Sequence, residues 1–169
     1  MVVNQAAAAE VVRSDSPNAS VQKTGGNVTI TGKSNSTKLT FAVTPAEDNG
    51  LTLQLPDNYT AAGKTTANGA VIADDPGAAG EFVWSITISD VPANVTIEEL
   101  TATLKVTAAG GQIANVTVTQ AAGDSTIELD EETINLDVNG TQQTVNVTSN
   151  DSWTWAQAAA RTVLRMMGR

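Results

Sequence analysis

Apolar and polar residues alternate along most of the chain, and this two-residue period is typical of β-strands that bury one face. The outward positions are mostly Thr, Asn and Ser, which suit the solvent side of a sheet. The inward apolar sets are Val28 and Ile30; Leu39, Phe41 and Val43; Leu51, Leu53 and Leu55; Phe82, Trp84, Ile86 and Ile88; Ala102, Leu104, Val106 and Ala108; and Val116 and Val118. The pattern predicts an all-β fold, an immunoglobulin-like antiparallel β-sandwich over residues 21–122.

The loop between the last two predicted strands of the sandwich contains Gly110 and Gly111. A two-residue loop there would turn Val116 to the solvent face, because a shift of one residue exchanges the two faces of a strand. A three-residue loop over residues 110–112 keeps Val116 on the core face, opposite Val106. We therefore predict the longer loop, with a β-bulge beside it.

Two segments of the first 122 residues lack the alternation. Residues 56–80 are rich in Gly, Ala, Asp, Asn and Thr, and they are predicted to form a long loop with one short strand at residues 70–73. Residues 1–20 are predicted to form an N-terminal arm. The Ala-rich residues 6–12 favour about two turns of helix in this arm, which are marginal in isolation.

After residue 122 the alternation resumes over a shorter stretch. Strands are predicted at residues 126–129, 133–138, 143–148 and 153–155, and Asn139-Gly140 predicts a two-residue hairpin turn. So few strands cannot close a sandwich, so residues 123–155 are predicted as a partial second β-module. Residues 156–169 have the spacing of a short, basic amphipathic C-terminal helix.

Composition narrows the chemistry. The 169 residues contain no Cys and no His, which excludes disulfides, thiolate nucleophiles, His bases and Cys/His zinc sites. The net charge of −9 argues against nucleic acid as a partner of the main body. No apolar run is long enough to span a bilayer, so no membrane partner is predicted. We predict no cofactor, no bound metal and no catalytic residues, and therefore no enzyme activity.

Adjacent acids are the nearest approach to a catalytic pattern. They occur at Asp74-Asp75, at Glu98-Glu99 and at residues 130–132. A glycosidase needs two carboxylates about 5–10 Å apart across a cleft, and neighbouring acids in turns do not provide that arrangement. A solvated surface is the favoured interpretation. Residues 74–77 offer a weak calcium-loop alternative without EF-hand spacing. The many Asn-x-Ser/Thr triplets, Asn94 among them, are attributed to Asn/Thr-rich composition.

Four aromatic residues are candidates for either packing or sugar stacking. Trp84 lies in the strongest alternating set and is predicted to be core. Trp153 and Trp155 lie on one face of a predicted strand. A core or interface role is favoured for all three tryptophans. Tyr59, in the long loop, and Trp155 are kept as the alternative, glycan-contacting residues.

The C-terminal segment combines basic and apolar residues. The apolar ones would otherwise be exposed, and exposed apolar patches mark contact sites. The predicted assembly interface consists of Arg161, Val163, Leu164, Arg165, Met166, Met167 and Arg169. At the other end, residues 1–12 lack the basic and apolar regions of a secretion signal. Either a signal was removed earlier, or the protein leaves its cell by another route, such as inside a virus particle.

Two stretches resemble a known family. Residues 140–154, GTQQTVNVTSNDSWT, are similar to the opening strands of a BACON domain, an immunoglobulin-like module of Bacteroidetes surface proteins and of their phages. Residues 116–123, VTVTQAAG, resemble the closing strand of such a module. The resemblance implies display on a particle or cell surface and, more loosely, association with mucin glycans. The chain departs from the family after Trp153, where a basic helix replaces the expected strands.

The sequence therefore favours a structural, non-enzymatic protein of a larger assembly. The leading hypothesis is a bacteriophage virion decoration, auxiliary capsid or head-fibre-type protein at the virion surface. Its predicted partners are other structural proteins of the same particle, with homo-oligomers expected. The alternative is a secreted or cell-surface BACON-type module that binds mucin glycans. A glycosidase built on acid pairs is the third, least favoured class.

Overall fold

The computed structural model describes residues 8–135 and 138–156. The chain divides into two compact units, Met1–Asp124 and Ser125–Arg169. The first unit is a β-sandwich, and the second contains a two-stranded antiparallel sheet. Within the described ranges, no helix has the length and hydropathy needed to cross a membrane.

The strands of the described residues are three to ten residues long. They are β1 (Val12–Ser14), β2 (Asn18–Val21), β3 (Gly26–Ser34), β4 (Leu39–Pro45), β5 (Asn58–Ala61), β6 (Lys64–Ala67), β7 (Phe82–Val91), β8 (Leu100–Ala108), β9 (Ile113–Gln120), β10 (Ile127–Leu129) and β11 (Val147–Ser149). A short 3-10 helix, Pro76–Ala79, precedes β7.

The sandwich consists of two packed sheets. One sheet has the strand order β1-β3-β7-β5-β6, and the other has the order β2-β9-β8-β4. β2 and β9 run parallel, and the other strand pairs are antiparallel. This order matches the immunoglobulin-like arrangement, in which strands A, B, E and D form one sheet and strands C, F and G form the other. The predicted sandwich is confirmed.

The core lies between the inner faces of these sheets. Trp84 of β7 is fully buried, and its ring meets that of Phe41 edge-on, with the ring centroids 5.5 Å apart. Tyr59 packs against the same Phe41 ring at 4.7 Å. Every member of the predicted inward sets is buried, except Val43 and Leu55, which are half-buried. The alternation therefore predicted the core almost residue by residue.

The segment between β4 and β5 shows that side-chain alternation and strand pairing are separate properties. Leu51 and Leu53 are buried, but residues 51–56 are not in a strand. The backbone N–H of Leu51 donates to the carbonyl of Thr101 at 2.9 Å. The following residues pass from one sheet to the other, so their side chains fill the core without a neighbouring strand.

The loop between β8 and β9 has the predicted length but begins one residue earlier. The N–H of Ala108 donates to the carbonyl of Gln112 at 2.9 Å, which leaves three residues in the loop. Val116 therefore pairs with Leu104, two residues from its predicted partner, and stays on the core face. Gly111 has a φ of +90°, the left-handed geometry that a three-residue hairpin loop requires near its end.

Residues 56–80, predicted as a long loop, contain the hairpin β5–β6. Its turn is Ala62-Gly63, whose φ values of +48° and +77° are both left-handed, as in a type I′ turn. The long-loop prediction was wrong because Ala62 is not a residue that favours this geometry. The strand predicted at residues 70–73 is reduced to one bridge, from Val71 to the segment before β4.

Much of the predicted N-terminal arm belongs to the sandwich, because residues 12–21 contain β1 and β2. The described residues before them are not helical, and Asn35 holds their backbone instead. Its side-chain oxygen accepts the N–H of Val11 at 2.7 Å, and its amide donates to the carbonyl of Ala9 at 2.9 Å. Strands of three and four residues are too short to show a period, so the alternation contains no sign of them.

In the second unit, β10 matches the strand predicted at residues 126–129. A turn is present at Val138 and Asn139, and the strands predicted on either side of Asn139-Gly140 are absent at residues 133–135 and 143–146. Residues 136 and 137 of the predicted hairpin lie outside the described residues. Thr148 of β11 pairs with Glu128, which is three residues from the partner that such a hairpin dictates. Because the two registers differ by an odd number of residues, the predicted register would place the opposite face of β11 on the apolar side of β10.

The C-terminal part of the second unit differs from its prediction where it is described. Residues 152–156 have no regular secondary structure, so the strand predicted at residues 153–155 is absent. The helix predicted at residues 156–169 lies outside the described residues, apart from Ala156.

Candidate assembly surface

β10 and β11 form a short ribbon that side chains extend at both ends. At one end, the Asp130 carboxylate accepts the backbone N–H of Asn146 at 2.8 Å and its side-chain amide at 2.6 Å. At the other end, the side-chain oxygen of Asn150 accepts the N–H of Thr126 at 2.8 Å. Because each strand has only three residues, these bonds are what fix the register of the ribbon.

One face of the ribbon is apolar and uncovered. Ile127 and Leu129 lie on this face with 58% and 51% of their surface exposed, and Val147, opposite Leu129, is half-buried. A two-stranded sheet is marginal without a second layer. Six of the eleven large apolar residues that are exposed in the described part of the chain lie in this unit: Ile127, Leu129, Ile134, Val138, Trp153 and Trp155. The second unit is therefore the main uncovered apolar region.

The predicted interface residues belong to the C-terminal segment of the chain. Arg161, Val163, Leu164, Arg165, Met166, Met167 and Arg169 all lie outside the described residues. Sequence reasoning placed Ile127 in a strand but gave it no role. The sequence pattern could have indicated this exposure, because the few strands predicted in residues 123–155 provide no second layer for the Ile127 side chain to pack against.

The aromatic residues divide between core and surface. Trp84 is core, as predicted. Trp153 and Trp155 are not, because 47% and 82% of their surface is exposed in the described structure. Their predicted interface role stays a prediction. Tyr59, the alternative glycan residue, is only 3% exposed and lies in β5, so its side chain is not available to a glycan at the surface.

The two largest buried aromatics each carry an unpaired polar atom. No residue of the described ranges forms a hydrogen bond with the hydroxyl of Tyr59 or with the indole N–H of Trp84. Burial raises the pKa of Tyr59 above its usual value. The backbone of Leu39 lies near the hydroxyl and lowers the pKa in the opposite direction, but it does not form a hydrogen bond with the hydroxyl. The arrangement is that of a packed core.

Three ion pairs are present on the surface of the sandwich in the described residues. Arg13 binds Glu81 at 2.5 Å, and this partner raises the pKa of Arg13. Lys64 forms an ion pair with Asp74 and lowers the pKa of that carboxyl group. In the part of the chain that the structure describes, no three acidic side chains lie close enough together to hold a metal ion. Exposed ion pairs of this kind contribute little to stability.

Asn94 is a structural residue that the sequence analysis attributed to composition. Its side-chain oxygen accepts the N–H of Thr96 at 2.9 Å and the Thr96 hydroxyl at 2.7 Å, as in an Asx turn. Its amide donates to the carbonyls of Glu98 and Ala121. The Asn-x-Thr triplet could have predicted this role, because an Asx turn uses the same spacing between the Asn side chain and the Thr that donates to it.

The chain matches one family of known proteins. The Toastrack DUF4097 family matches residues 4–156, which include both the sandwich and the ribbon. The chain belongs to this family. Its description as Toastrack DUF4097 names neither a ligand nor a reaction.

Individual known proteins are only distantly similar to this chain. The search of curated proteins found no match. Among solved structures, the chain is similar to a Bacteroides ovatus GH5 xyloglucanase in complex with a XXXG heptasaccharide, at 18% sequence identity and a TM-score of 0.35. The similarity covers 80% of this Toastrack DUF4097 chain but only 23% of the xyloglucanase. A similarity of this size carries no argument about function.

Proposed function

We propose that the chain is a non-enzymatic structural protein of a multi-subunit assembly, in which the sandwich is displayed and the second unit contacts neighbouring subunits. The observation that carries the proposal is the uncovered apolar face of the ribbon, at Ile127 and Leu129. Contiguous exposed apolar residues mark contact sites in soluble proteins. The sandwich has a complete core of its own, so the exposed residues of the second unit are not needed to fold it.

The finer proposal is a bacteriophage virion decoration, auxiliary capsid or head-fibre-type protein, located at the virion surface. It is supported by the similarity of residues 140–154 to BACON domains of Bacteroidetes phages. The Thr-rich, acidic surface also suits a displayed domain, because net negative charge favours solubility. The proposed partners are other structural proteins of the same particle, including further copies of this chain.

Light scattering on a sizing column tests the assembly proposal. The full chain is expected to oligomerise, and a version that ends at Asp124 is expected to be a folded monomer. The double variant Ile127→Thr/Leu129→Thr removes apolar surface while keeping strand-forming residues, so its mean mass should fall.

Val83→Thr is the matched control, because Val83 is also about half exposed but lies on the sandwich. Its mass should equal that of the unchanged chain. A full chain that stays monomeric at micromolar concentrations, alone and with its candidate particle proteins, contradicts the proposal.

A second candidate function rests on Trp155. Its ring is the most exposed aromatic in the described residues, and exposed tryptophans stack on sugar rings. In this alternative the chain is a secreted or cell-surface module that binds mucin glycans. Saturable binding to mucin glycans that is lost in Trp155→Ala and kept in Trp153→Ala supports it, and an absence of glycan binding excludes it.

A further inference from the structure

β11 has one edge that faces β10 and one edge that no strand of residues 8–135 and 138–156 occupies. The N–H of Asp130 donates to the carbonyl of Asn146 at 3.1 Å, so the backbone of Asn146 faces β10. Because this direction alternates along a strand, the backbone groups of Val147 and Ser149 point to the other edge. No strand in the described ranges pairs with that edge.

The two outer edges of the ribbon differ in charge. β10 contains Glu128 and is followed directly by three acids, at residues 130–132. Residues 141–150, which include β11, contain no charged residue, no proline and no glycine. Charges on an edge strand discourage pairing with other chains, and an uncharged edge rich in β-branched residues permits it. β11 therefore carries the edge that is open to strand addition.

We propose that β11 pairs antiparallel with β11 of a second copy of this chain, about a two-fold axis at Thr148. This inference rests on the proposed assembly function and adds a contact through a strand edge to the proposed contact through the apolar face. Val147 of each copy faces Ser149 of the other, so the free backbone groups of both strands are bonded. The alternative two-fold pairing, through β10, places Glu128 opposite Glu128, and like charges directly opposite each other destabilise a sheet.

The pairing also joins the apolar faces of the two ribbons into one larger face. Joining two ribbons through β11 makes one four-stranded sheet, in which Ile127, Leu129 and Val147 of both copies lie on a single face. Sheets of three or more strands with an apolar face are more stable than an isolated pair. A two-fold contact of this type is closed, so it gives a dimer and not an open filament.

A single introduced cysteine tests the axis, because the chain has no cysteine of its own. In the proposed register, Thr148 forms a non-bonded pair with its symmetry mate, with Cα atoms about 4.5 Å apart. Disulfides span about 4.4–6.8 Å between Cα atoms. Under mild oxidation, full-length Thr148→Cys should become mainly a covalent dimer.

Glu128→Cys is the matched control, since Glu128 is exposed and lies directly across the ribbon from Thr148. It should cross-link at least tenfold more slowly. Equal cross-linking of both variants, or none in Thr148→Cys, overturns the proposal.

A charge variant provides an independent readout. Thr148→Lys places a cation beside Glu128 of its own chain, which favours the ribbon within each copy. In the dimer, however, the two introduced lysines face each other across the two-fold axis. The dimer dissociation constant measured by sedimentation equilibrium should rise about fivefold. Thr52→Lys, an exposed position of the sandwich unit, controls for the same change in net charge and should leave the constant unchanged.

The outcomes separate this inference from the function on which it rests. If the full chain assembles while Thr148→Cys stays uncross-linked and Thr148→Lys assembles normally, the β11 pairing is wrong and the assembly proposal stands. If the full chain forms no assembly, both are wrong.

Discussion

Tyr59 combines two properties that have opposite effects on stability. Its ring packs against Phe41, and its hydroxyl has no hydrogen-bond partner in the described residues. The position therefore gains from aromatic packing and loses from the desolvation of a polar atom. This balance decides what a substitution at this residue does.

Tyr59→Phe keeps the ring and removes the unpaired hydroxyl. We expect the free energy of unfolding at pH 7 to stay the same or to rise by about 1 kcal/mol, as urea unfolding would measure. Tyr59→Leu, which removes the aromatic contact as well, should be clearly destabilised. A substantial loss of stability in Tyr59→Phe would show that the hydroxyl has a partner.

The alkaline behaviour of the same residue follows from its pKa. Burial raises the pKa of Tyr59 in the folded state, so the neutral phenol favours folding. This contribution is fully present below the unfolded pKa of about 10 and is lost as the pH rises through the folded pKa. Tyr59→Phe should therefore lose less stability than the unchanged protein between neutral pH and pH values above about 10.

At the scale of elements, the edge of β4 is closed by a side chain. The side-chain oxygen of Asn68 accepts the N–H of Phe41 at 2.8 Å, and its amide donates to the carbonyl of Phe41 at 3.0 Å. These are the two bonds that a neighbouring strand would make. The N–H of Gly69 adds a bond to the carbonyl of Leu39, and Pro45 ends the strand without a donor.

Asn68→Ala is predicted to open this edge. Two half-buried backbone groups of Phe41 lose their partners, which should cost about 1–3 kcal/mol of unfolding free energy. The exposed edge should also increase aggregation on heating, measured by turbidity. Asn115→Ala, an exposed residue on the outer face of β9, is the control and should change neither quantity. An Asn68→Ala protein with unchanged stability would mean that water replaces the amide without cost.

The β5–β6 hairpin contains an avoidable strain. Ala62 adopts a φ of +48°, which costs about 1 kcal/mol for a residue with a β-carbon and less for Asn. An asparagine followed by Gly63 would be a favoured type I′ pair. We predict that Ala62→Asn raises the melting temperature by about 3 °C, measured by calorimetry. Ala42→Asn, in the regular strand β4, should lower it, because Asn is disfavoured in strands. A fall in the Ala62→Asn variant would refute the strain argument.

The sequence predicted elements well where the alternation was long and poorly where pairing depended on a few side-chain contacts. β7, with Trp84 and Ile86 at its centre, needs no partner to be recognised. β1 and β2 are too short to show a period. The β5–β6 turn lacks the usual Asn-Gly signal, and the edge role of Asn68 depends on a residue 27 positions away.

At the scale of the whole molecule, the two units differ in how completely they bury their apolar residues. The sandwich encloses its core and limits its free edges with short strands, a proline and Asn68. The second unit leaves Ile127 and Leu129 uncovered and has an uncharged edge at β11. The sequence could predict that residues 123–155 were incomplete, because their strand number is visible in the pattern. It could not predict which face and which edge stay open, since these depend on the register that Asp130 and Asn150 fix.

The parallel pairing of β2 with β9 has a consequence for mechanical load. Force applied to the two ends of the sandwich pulls β2 by its N-terminal end, Asn18, and β9 by its C-terminal end, Gln120. Because the two strands are parallel, they are pulled along the same axis in opposite directions. The bonds between them are then loaded together in shear and do not open one at a time. Bonds from Thr117 to Pro17 and from Ala121 to Val21 lengthen this clamp at both ends. A sandwich that is pulled at its two ends should therefore resist mechanical unfolding.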